Sequence, residues 1–268
     1  MHRKPLAQSA ASSANLVEIF ASVQGEGIYV GRSTVFVRFG GCDLRCAWCD
    51  SPETWLPAEE CRIEVEAGTG HFRTLPNPIE LETVERAVAA LDPLPGSPVS
   101  LTGGEPLLQA EALASLAERL RRRGLQIHLE THGLAADALA KVVERLDVVS
   151  MDWKLASGVR RGTDARDGSA TEFHDRHEDF LRLALERCRV YVKVVLTPST
   201  QEAELDEVCR RMAACAPDVP LVLQPVTPAG SVSEMPAAED LLIWLRRCEE
   251  QLADVRLIPQ MHRMMGVR

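Results

Sequence analysis

Apolar and polar positions along this chain fall into two rhythms. Leu16 to Ser22 alternates with period two, and 34–39 is a short apolar run that carries Arg38 in its interior. Both read as strands, because successive strand side chains face opposite sides. From residue 79 the spacing lengthens. Leu81, Val84, Val88 and Leu91 recur at helical intervals, 99–102 reads as a strand, and Leu113, Leu116, Ala117 and Leu120 mark a helix stopped at Gly124. The alternation continues with a strand over 125–129, a helix through Leu139, Val142, Val143 and Leu146, and a strand over 147–152. A helix ending near Cys188, strand 190–196, helix 202–214, strand 221–226, helix 237–252 and strand 255–259 complete it. Repeated strand-then-helix units imply right-handed crossovers and a mostly parallel sheet, an α/β fold. Residues 52–78 break the rhythm with prolines at 52, 57, 76 and 78 and a Gly68-Thr69-Gly70 turn. They read as an irregular insertion in a core domain spanning 16–268. Residues 1–15, Ala/Ser-rich after a basic start, read as a flexible tail.

Ligands of parallel sheets collect at the C-terminal ends of the strands. Here those ends carry polar or glycine signals. Strand 34–39 runs into Gly40-Gly41 and a cysteine loop, and Thr102 opens Gly103-Gly104-Glu105-Pro106. Glu130-Thr131-His132-Gly133, Asp152-Trp153-Lys154, Gln224-Pro225-Val226-Thr227 and Gln260-Met261-His262 follow later strands. Six such loops on one rim describe a pocket.

The cysteine loop, Cys42 to Cys49, has C-x3-C-x2-C spacing. Three thiolates on one short loop can hold three irons of a [4Fe–4S] cluster, leaving the fourth iron free for another ligand. The alternative is a structural zinc site, in a binding module without catalysis. It needs four closed ligands, commonly in two pairs, and would have to recruit Cys61 or His71. Cys188, Cys209 and Cys248 fall on apolar faces of helical patterns and read as buried free thiols, which suits a reducing cytoplasm. The composition narrows the partners. A net charge of −9 argues against an extended nucleic-acid groove, and Arg121-Arg122-Arg123 reads as a solvated helix end. No apolar run is long enough to span a bilayer, and no apolar stretch of a signal peptide follows Met1-His2-Arg3-Lys4.

With its cysteine spacing and Thr102-Gly103-Gly104-Glu105-Pro106, the chain resembles the radical S-adenosylmethionine (SAM) superfamily. In that superfamily the open iron chelates SAM, whose cleavage yields a 5′-deoxyadenosyl radical, on a partial (β/α) barrel. His132 stands where the related E-T-N-G stretch has Asn. Gln24-Gly25-Glu26-Gly27, Arg38, Asp50-Ser51 after the cysteines, and residues 259–268 carry a narrower resemblance, to the 7-carboxy-7-deazaguanine synthases. Ser150 to Lys154 and Leu223 to Val226 agree with it. It runs from about residue 16 to the end, omitting much of 56–77.

That resemblance implies a radical ring contraction. The substrate is 6-carboxy-5,6,7,8-tetrahydropterin, the product 7-carboxy-7-deazaguanine, and ammonia is lost on the way to 7-deazapurines such as queuosine. It places the cluster on Cys42, Cys46 and Cys49 and Mg²⁺ on Ser51. It gives substrate binding to Val23, Gln24, Gly25, Glu26, Arg38, Thr102, His262 and the terminal carboxylate of Arg268. SAM would be lined by Trp48, Cys49, Asp50, Gly104, Asp152, Lys154, Gln224, Pro225, Val226 and Thr227. A flavodoxin-type electron donor and a homodimer are implied as well. A different radical SAM enzyme, such as a glycyl-radical activating enzyme, would keep the cysteines and the Gly-Gly-Glu turn but would not need Gln24, Arg38, Ser51 or His262.

Overall fold

The computed structural model describes residues 11–161 and 170–268. Its first seven strands are β1 (Ser13–Ala14), β2 (Leu16–Val23), β3 (Ser33–Phe39), β4 (Leu44–Cys46), β5 (Glu60–Glu64), β6 (Phe72–Pro76) and β7 (Ile79–Glu80). The rest are β8 (Pro98–Gly103), β9 (Gln126–Thr131), β10 (Val148–Asp152), β11 (Val159–Arg161), β12 (Arg189–Leu196), β13 (Leu221–Pro225) and β14 (Val255–Leu257). Helices are α1 (Leu81–Ala90), α2 (Ala110–Arg122), α3 (Ala136–Leu139), α4 (Ala170–Leu185), α5 (Glu202–Cys215), α6 (Ala238–Glu249) and α7 (Met261–Met265).

Ten strands form one sheet in the order β14-β13-β12-β10-β9-β8-β3-β2-β5-β6. Every pairing from β14 to β3 is parallel, whereas β2 runs antiparallel to β3 and β6 antiparallel to β5. The sheet curls. Four strands separate β2 from β12, yet Glu26, just beyond β2, pairs with Lys193 on β12. The architecture is therefore the expected partial barrel, open rather than closed.

The two faces of the sheet differ in chemistry. Val37, Leu101, Leu129, Met151, Val192 and Leu223 point outward into the main core, where α2 and α5 add Leu113, Leu116, Val208 and Met212. Arg38, Thr102, Glu130, Asp152, Lys193 and Gln224 occupy alternate positions and face a common cavity. The strict period of two along each strand separates core from site. Cys209 and Cys248 are buried as expected and Cys188 is half-buried; all eight cysteines are free thiols. The basic run at the end of α2 is spent on the surface. Arg119 and Arg123 pair with Glu85 at 3.2 and 2.7 Å, and Arg122 pairs with Glu118. No helix among the described residues is long and apolar enough to cross a membrane.

Three sequence expectations change. The tail is shorter than 1–15. Ser13–Ala14 pairs with Ile79–Glu80, and the Asn15 side chain bonds the Ala58 backbone on both sides, so residues 11–15 belong to the fold; residues 1–10 lie outside the described residues. Segment 52–78 is irregular only in part. It contains the β5–β6 hairpin, which extends the sheet beyond β2 and buries Cys61 and Ile63 at alternate positions. Two alternate apolar residues between prolines are too brief a signal to read as a strand. The helix through Leu139 and Leu146 is broken into α3 and a single 3₁₀ turn over Val143–Arg145. Leu139, Val142, Val143 and Leu146 are all buried nonetheless. The apolar spacing required burial, and two successive turns supply it as well as one helix.

Candidate active site

A cavity of about 610 Å³ opens at the C-terminal rim of the parallel strands. Cys42, Cys46, Cys49 and Ser51 line it. So do Val23, Gln24, Gly25, Glu26, Arg38, Thr102, His262 and Arg268, and Trp48, Asp50, Gly104, Asp152, Lys154, Gln224, Val226 and Thr227. The exception is Pro225, a buried residue of β13 that pairs with Leu196 in the ladder and does not line the cavity.

The cysteine loop is braced from several directions. The Arg45 guanidinium donates to the carbonyls of Cys42 and Leu44 at 2.9 and 2.7 Å and lies over the Trp55 ring. Strand β4 pairs antiparallel with β11, joining Cys46 to Val159. Burial pushes the Cys42 thiol up to about 12 and also raises that of Cys46. Both are thiols in the unloaded protein, so metal loading must expel their protons.

The donor set fits an iron–sulfur cluster. Three thiols share one wall of the cavity. The Leu44 N–H donates to Cys42 Sγ at 3.5 Å and the Trp55 indole N–H to Cys49 Sγ at 3.2 Å. Such bonds to sulfur stabilise thiolate charge and tune a cluster's potential. Among the described residues no three Cys, His, Asp or Glu side chains converge as ligands of a single ion would. A cubane does not require that, since each thiolate binds its own iron. The same cavity fits a polar cofactor. Asp152 Oδ1 and Gln224 Oε1 are buried acceptors without a partner, and both residues line the cavity. A ligand rich in N–H and O–H donors, such as SAM, would satisfy them.

The Gly-Gly-Glu turn has a structural role beside any contact with a ligand. Gly103 sits at φ +139°, and a Cβ there would come within 2.2 Å of the Phe39 carbonyl oxygen, so only glycine fits. Glu105 is fully buried. Its carboxylate accepts from the Leu107 N–H, the Thr131 hydroxyl and the His132 N–H, each at 2.9 Å, and ties the end of β8 to the end of β9. His132 accepts the Leu134 N–H at Nδ1, so its own proton sits on Nε2 and is donated to Asp43 Oδ1 at 2.9 Å. The residue that departs from the Asn of the motif thus ties β9 to the cysteine loop.

A chain of alternating charges crosses the lumen. Lys154 Nζ pairs with Asp152 at 2.7 Å, Lys193 lies 3.5 Å from the same carboxylate, and Lys193 also pairs with Glu26. Burial opposes ionisation of Glu26, but Lys193 and the Gln260 amide hold its carboxyl down at about 2. Burial likewise opposes charge on Lys193, and Glu26 and Asp152 outweigh it, so its affinity for a proton rises well above the lysine range. Glu26 and Asp152 are therefore joined by one ammonium.

The remaining polar side chains of the cavity hold one another in place. Glu130 accepts from the Gln24 amide at 2.8 Å, the Ser100 hydroxyl at 2.6 Å and the Thr102 hydroxyl at 2.8 Å. Glu18 accepts from Arg38 Nε at 3.0 Å and from Arg268 at 2.7 Å. Gln260 donates to Glu26 at 2.7 Å, and the Met261 N–H donates to the Gly25 carbonyl at 2.8 Å, which seats α7 against the β2–β3 turn. Burial lowers the His262 pKa, so its ring is neutral at pH 7. A Cβ on Gly25 would meet His262 Nδ1 at 2.1 Å. Gly25→Ala should therefore displace α7 and raise the KM for substrate roughly tenfold or more, as loss of about 1.4 kcal/mol of binding does. Steady-state kinetics check this, and an unchanged KM with an intact fold contradicts it.

Sequence reasoning missed Lys193, Glu18 and Trp55, and it noted Glu130 and Gln260 without assigning them a role. Lys193 had a signal, because it is a charge inside the apolar strand Arg189–Leu196, as Arg38 is inside 34–39. Glu18 acts through a contact 250 residues away and had none, and Trp55, though only six residues from Cys49, carries no spacing that marks it as a donor to sulfur.

Residues 36–212 match the Radical SAM superfamily model. The 7-carboxy-7-deazaguanine synthase of Geobacter sulfurreducens is 38% identical over 256 residues, covering 94% of this chain and 97% of that protein. The Methanothermobacter thermautotrophicus enzyme of the same name is 32% identical over 264 residues, covering 95% and 98%. Among solved structures, QueE from Escherichia coli matches with a TM-score of 0.58 over 94% of each chain at 20% identity, a likeness of fold. Identity over nearly the full length of both chains, together with the superfamily match across the cysteine loop, leads to one assignment: this chain belongs to the 7-carboxy-7-deazaguanine synthase family of the radical SAM superfamily.

Proposed function

We propose that the protein converts 6-carboxy-5,6,7,8-tetrahydropterin to 7-carboxy-7-deazaguanine with loss of ammonia, in 7-deazapurine biosynthesis. The observation that carries this reading is a single cavity lined both by three thiols and by the polar set Glu18, Glu26, Arg38, Glu130 and Arg268. When bound, the [4Fe–4S] cluster on Cys42, Cys46 and Cys49 and the SAM beside it supply the radical chemistry. The chain's own residues position the substrate. Gln24, Glu26 and Thr102 present acceptors and donors to the amine-rich edge of the pterin. Arg38 gives only its Nε to Glu18, and its remaining N–H groups suit the substrate carboxylate. Lys154 and Asp152 hold the SAM side, and neutral His262 closes the cavity above Gly25.

Ser51 and Asp50 place a hydroxyl and a carboxylate 3.3 Å apart at the cavity wall. Hard oxygen donors of this kind suit Mg²⁺, which keeps most of its waters. Ser51→Ala should weaken the Mg²⁺ dependence of turnover several-fold and leave the iron content unchanged. An unaltered Mg²⁺ titration removes Ser51 as a ligand. A flavodoxin-type electron donor, a homodimer and a cytoplasmic setting belong to the same reading.

The test is anaerobic turnover of reconstituted protein with SAM, reductant, Mg²⁺ and the tetrahydropterin, with products read by mass. Appearance of 7-carboxy-7-deazaguanine supports the proposal. If 5′-deoxyadenosine forms alone, the radical machinery stands and the substrate is wrong.

A further inference from the structure

The β5–β6 hairpin takes no part in the chemistry described above, yet it touches the last residues of the chain. Phe72, on β6, lies between two guanidinium groups. Arg62 is 4.5 Å and Arg268 4.8 Å from its ring centroid. Arg268 also lies 5.4 Å from the Phe20 ring, and its guanidinium donates to Glu18 at 2.7 Å. The Arg268 carbonyl accepts from the Ser22 hydroxyl at 2.7 Å. Glu18, Phe20 and Ser22 are alternate residues of β2 and so share one face of it. Upstream, Gly266 ends α7 at φ +67°, and the Val267 N–H donates to the His262 carbonyl at 3.0 Å. Gly266, Val267 and Arg268 all line the cavity.

We infer that Phe72 and Glu18 are positioning residues that clamp Arg268 and thereby hold residues 261–268 over the substrate end of the cavity. The hairpin is the outer jaw of this clamp and β2 the inner one. A guanidinium between two aromatic faces, with a buried carboxylate at its edge, is held in orientation as well as in place. The start of α7 is held by the Met261 N–H on Gly25, the Gln260 amide on Glu26 and Arg263 on Asp50 at 3.1 Å, so Arg268 is the tether of the opposite end, and its release loosens the segment that carries His262. Glu18 serves both arginines, so it aligns Arg38 by the same carboxylate. The kinetic part of this inference rests on the substrate reading given above; the structural part does not.

Two measurements on the full chain test it. Hydrogen–deuterium exchange is followed for peptide 261–268, with α1 as an internal standard for global opening. Phe72→Ala should speed exchange in 261–268 about tenfold while α1 stays as in the parent protein, and Phe72→Tyr, which keeps the ring, should restore protection. Phe72→Ala should also raise the KM for the tetrahydropterin about tenfold, with kcat and the KM for SAM little changed. Parent-like exchange in 261–268 of the Phe72→Ala protein overturns the clamp. Faster exchange with an unchanged substrate KM overturns its role in recognition. The exchange result stands even if the protein does not turn over this pterin.

Discussion

Cys46→Ala should yield a colourless protein with almost no iron or labile sulfide after reconstitution, and product formation should fall to the assay background. Two thiolates cannot hold a cluster that needs a protein ligand at three of its irons. The loss follows from chemistry rather than from unfolding. Cys46 sits in β4, whose pairing with β11 runs through the backbone and survives the substitution. Removing one thiol from a partly buried position costs on the order of 1 kcal/mol, which a domain of this size tolerates. Iron and sulfide analysis beside thermal melting separates the two. A brown, sulfide-bearing variant would show that Cys46 is not a ligand. Zinc near one per chain in the parent protein, without sulfide, would revive the zinc alternative.

Lys193→Met should damage the chain of charges that crosses the site. The ammonium is shared by Glu26 and Asp152, and its removal leaves two largely buried carboxylates, of which only Asp152 keeps a lysine, Lys154. Breaking a buried ion pair costs about 3–5 kcal/mol, because the partner's charge stays behind. The expected result is a stability loss of about 3 kcal/mol and at least a tenfold higher KM for the substrate, with the cluster still loaded. The pH dependence has a definite sign. In the parent protein the Glu26 carboxyl is lowered from 4.5 to about 2, so its contribution to stability is complete above 4.5 and is lost as pH falls from there through about 2. Burial is the largest influence on Glu26 and acts upward; Lys193 is the first of those opposing it. In Lys193→Met burial gains the upper hand, and the acid limb of substrate binding moves toward neutrality. Urea unfolding and KM measured across pH 4 to 7 check both effects. Identical profiles for parent and variant would refute the role given to Lys193.

These two residues also show where sequence reading succeeds and where it stops. Cys46 was legible because its chemistry is local. Three thiols at C-x3-C-x2-C spacing must share one loop whatever surrounds them. Lys193 was passed over because a single charge in an apolar strand does not say which face it occupies. The face becomes decisive only once the sheet has curled, since inward positions then meet across the lumen. Glu26 and Lys193 are 167 residues apart, and Glu18 and Arg268 are 250 apart. No periodicity connects such pairs. The same reason explains the hairpin. Cys61 and Ile63 follow a strand rhythm for only two beats, and their burial depends on an edge of β2 that the linear pattern does not reveal.

Taken alone, the sequence determined the alternation of strands and helices, hence the parallel sheet and the rim on which a site must lie. It also determined the cysteine loop and the glycine-rich turn beside it, because hydrophobic periodicity and ligand spacing are local properties of the chain. Tertiary structure decided the rest. It brought the β2–β3 turn across to β12, made one ammonium serve both Glu26 and Asp152, and laid Arg268 between β2 and the hairpin. Those features arise from the curl of the sheet, which sums small twists over ten strands and is written in no single segment.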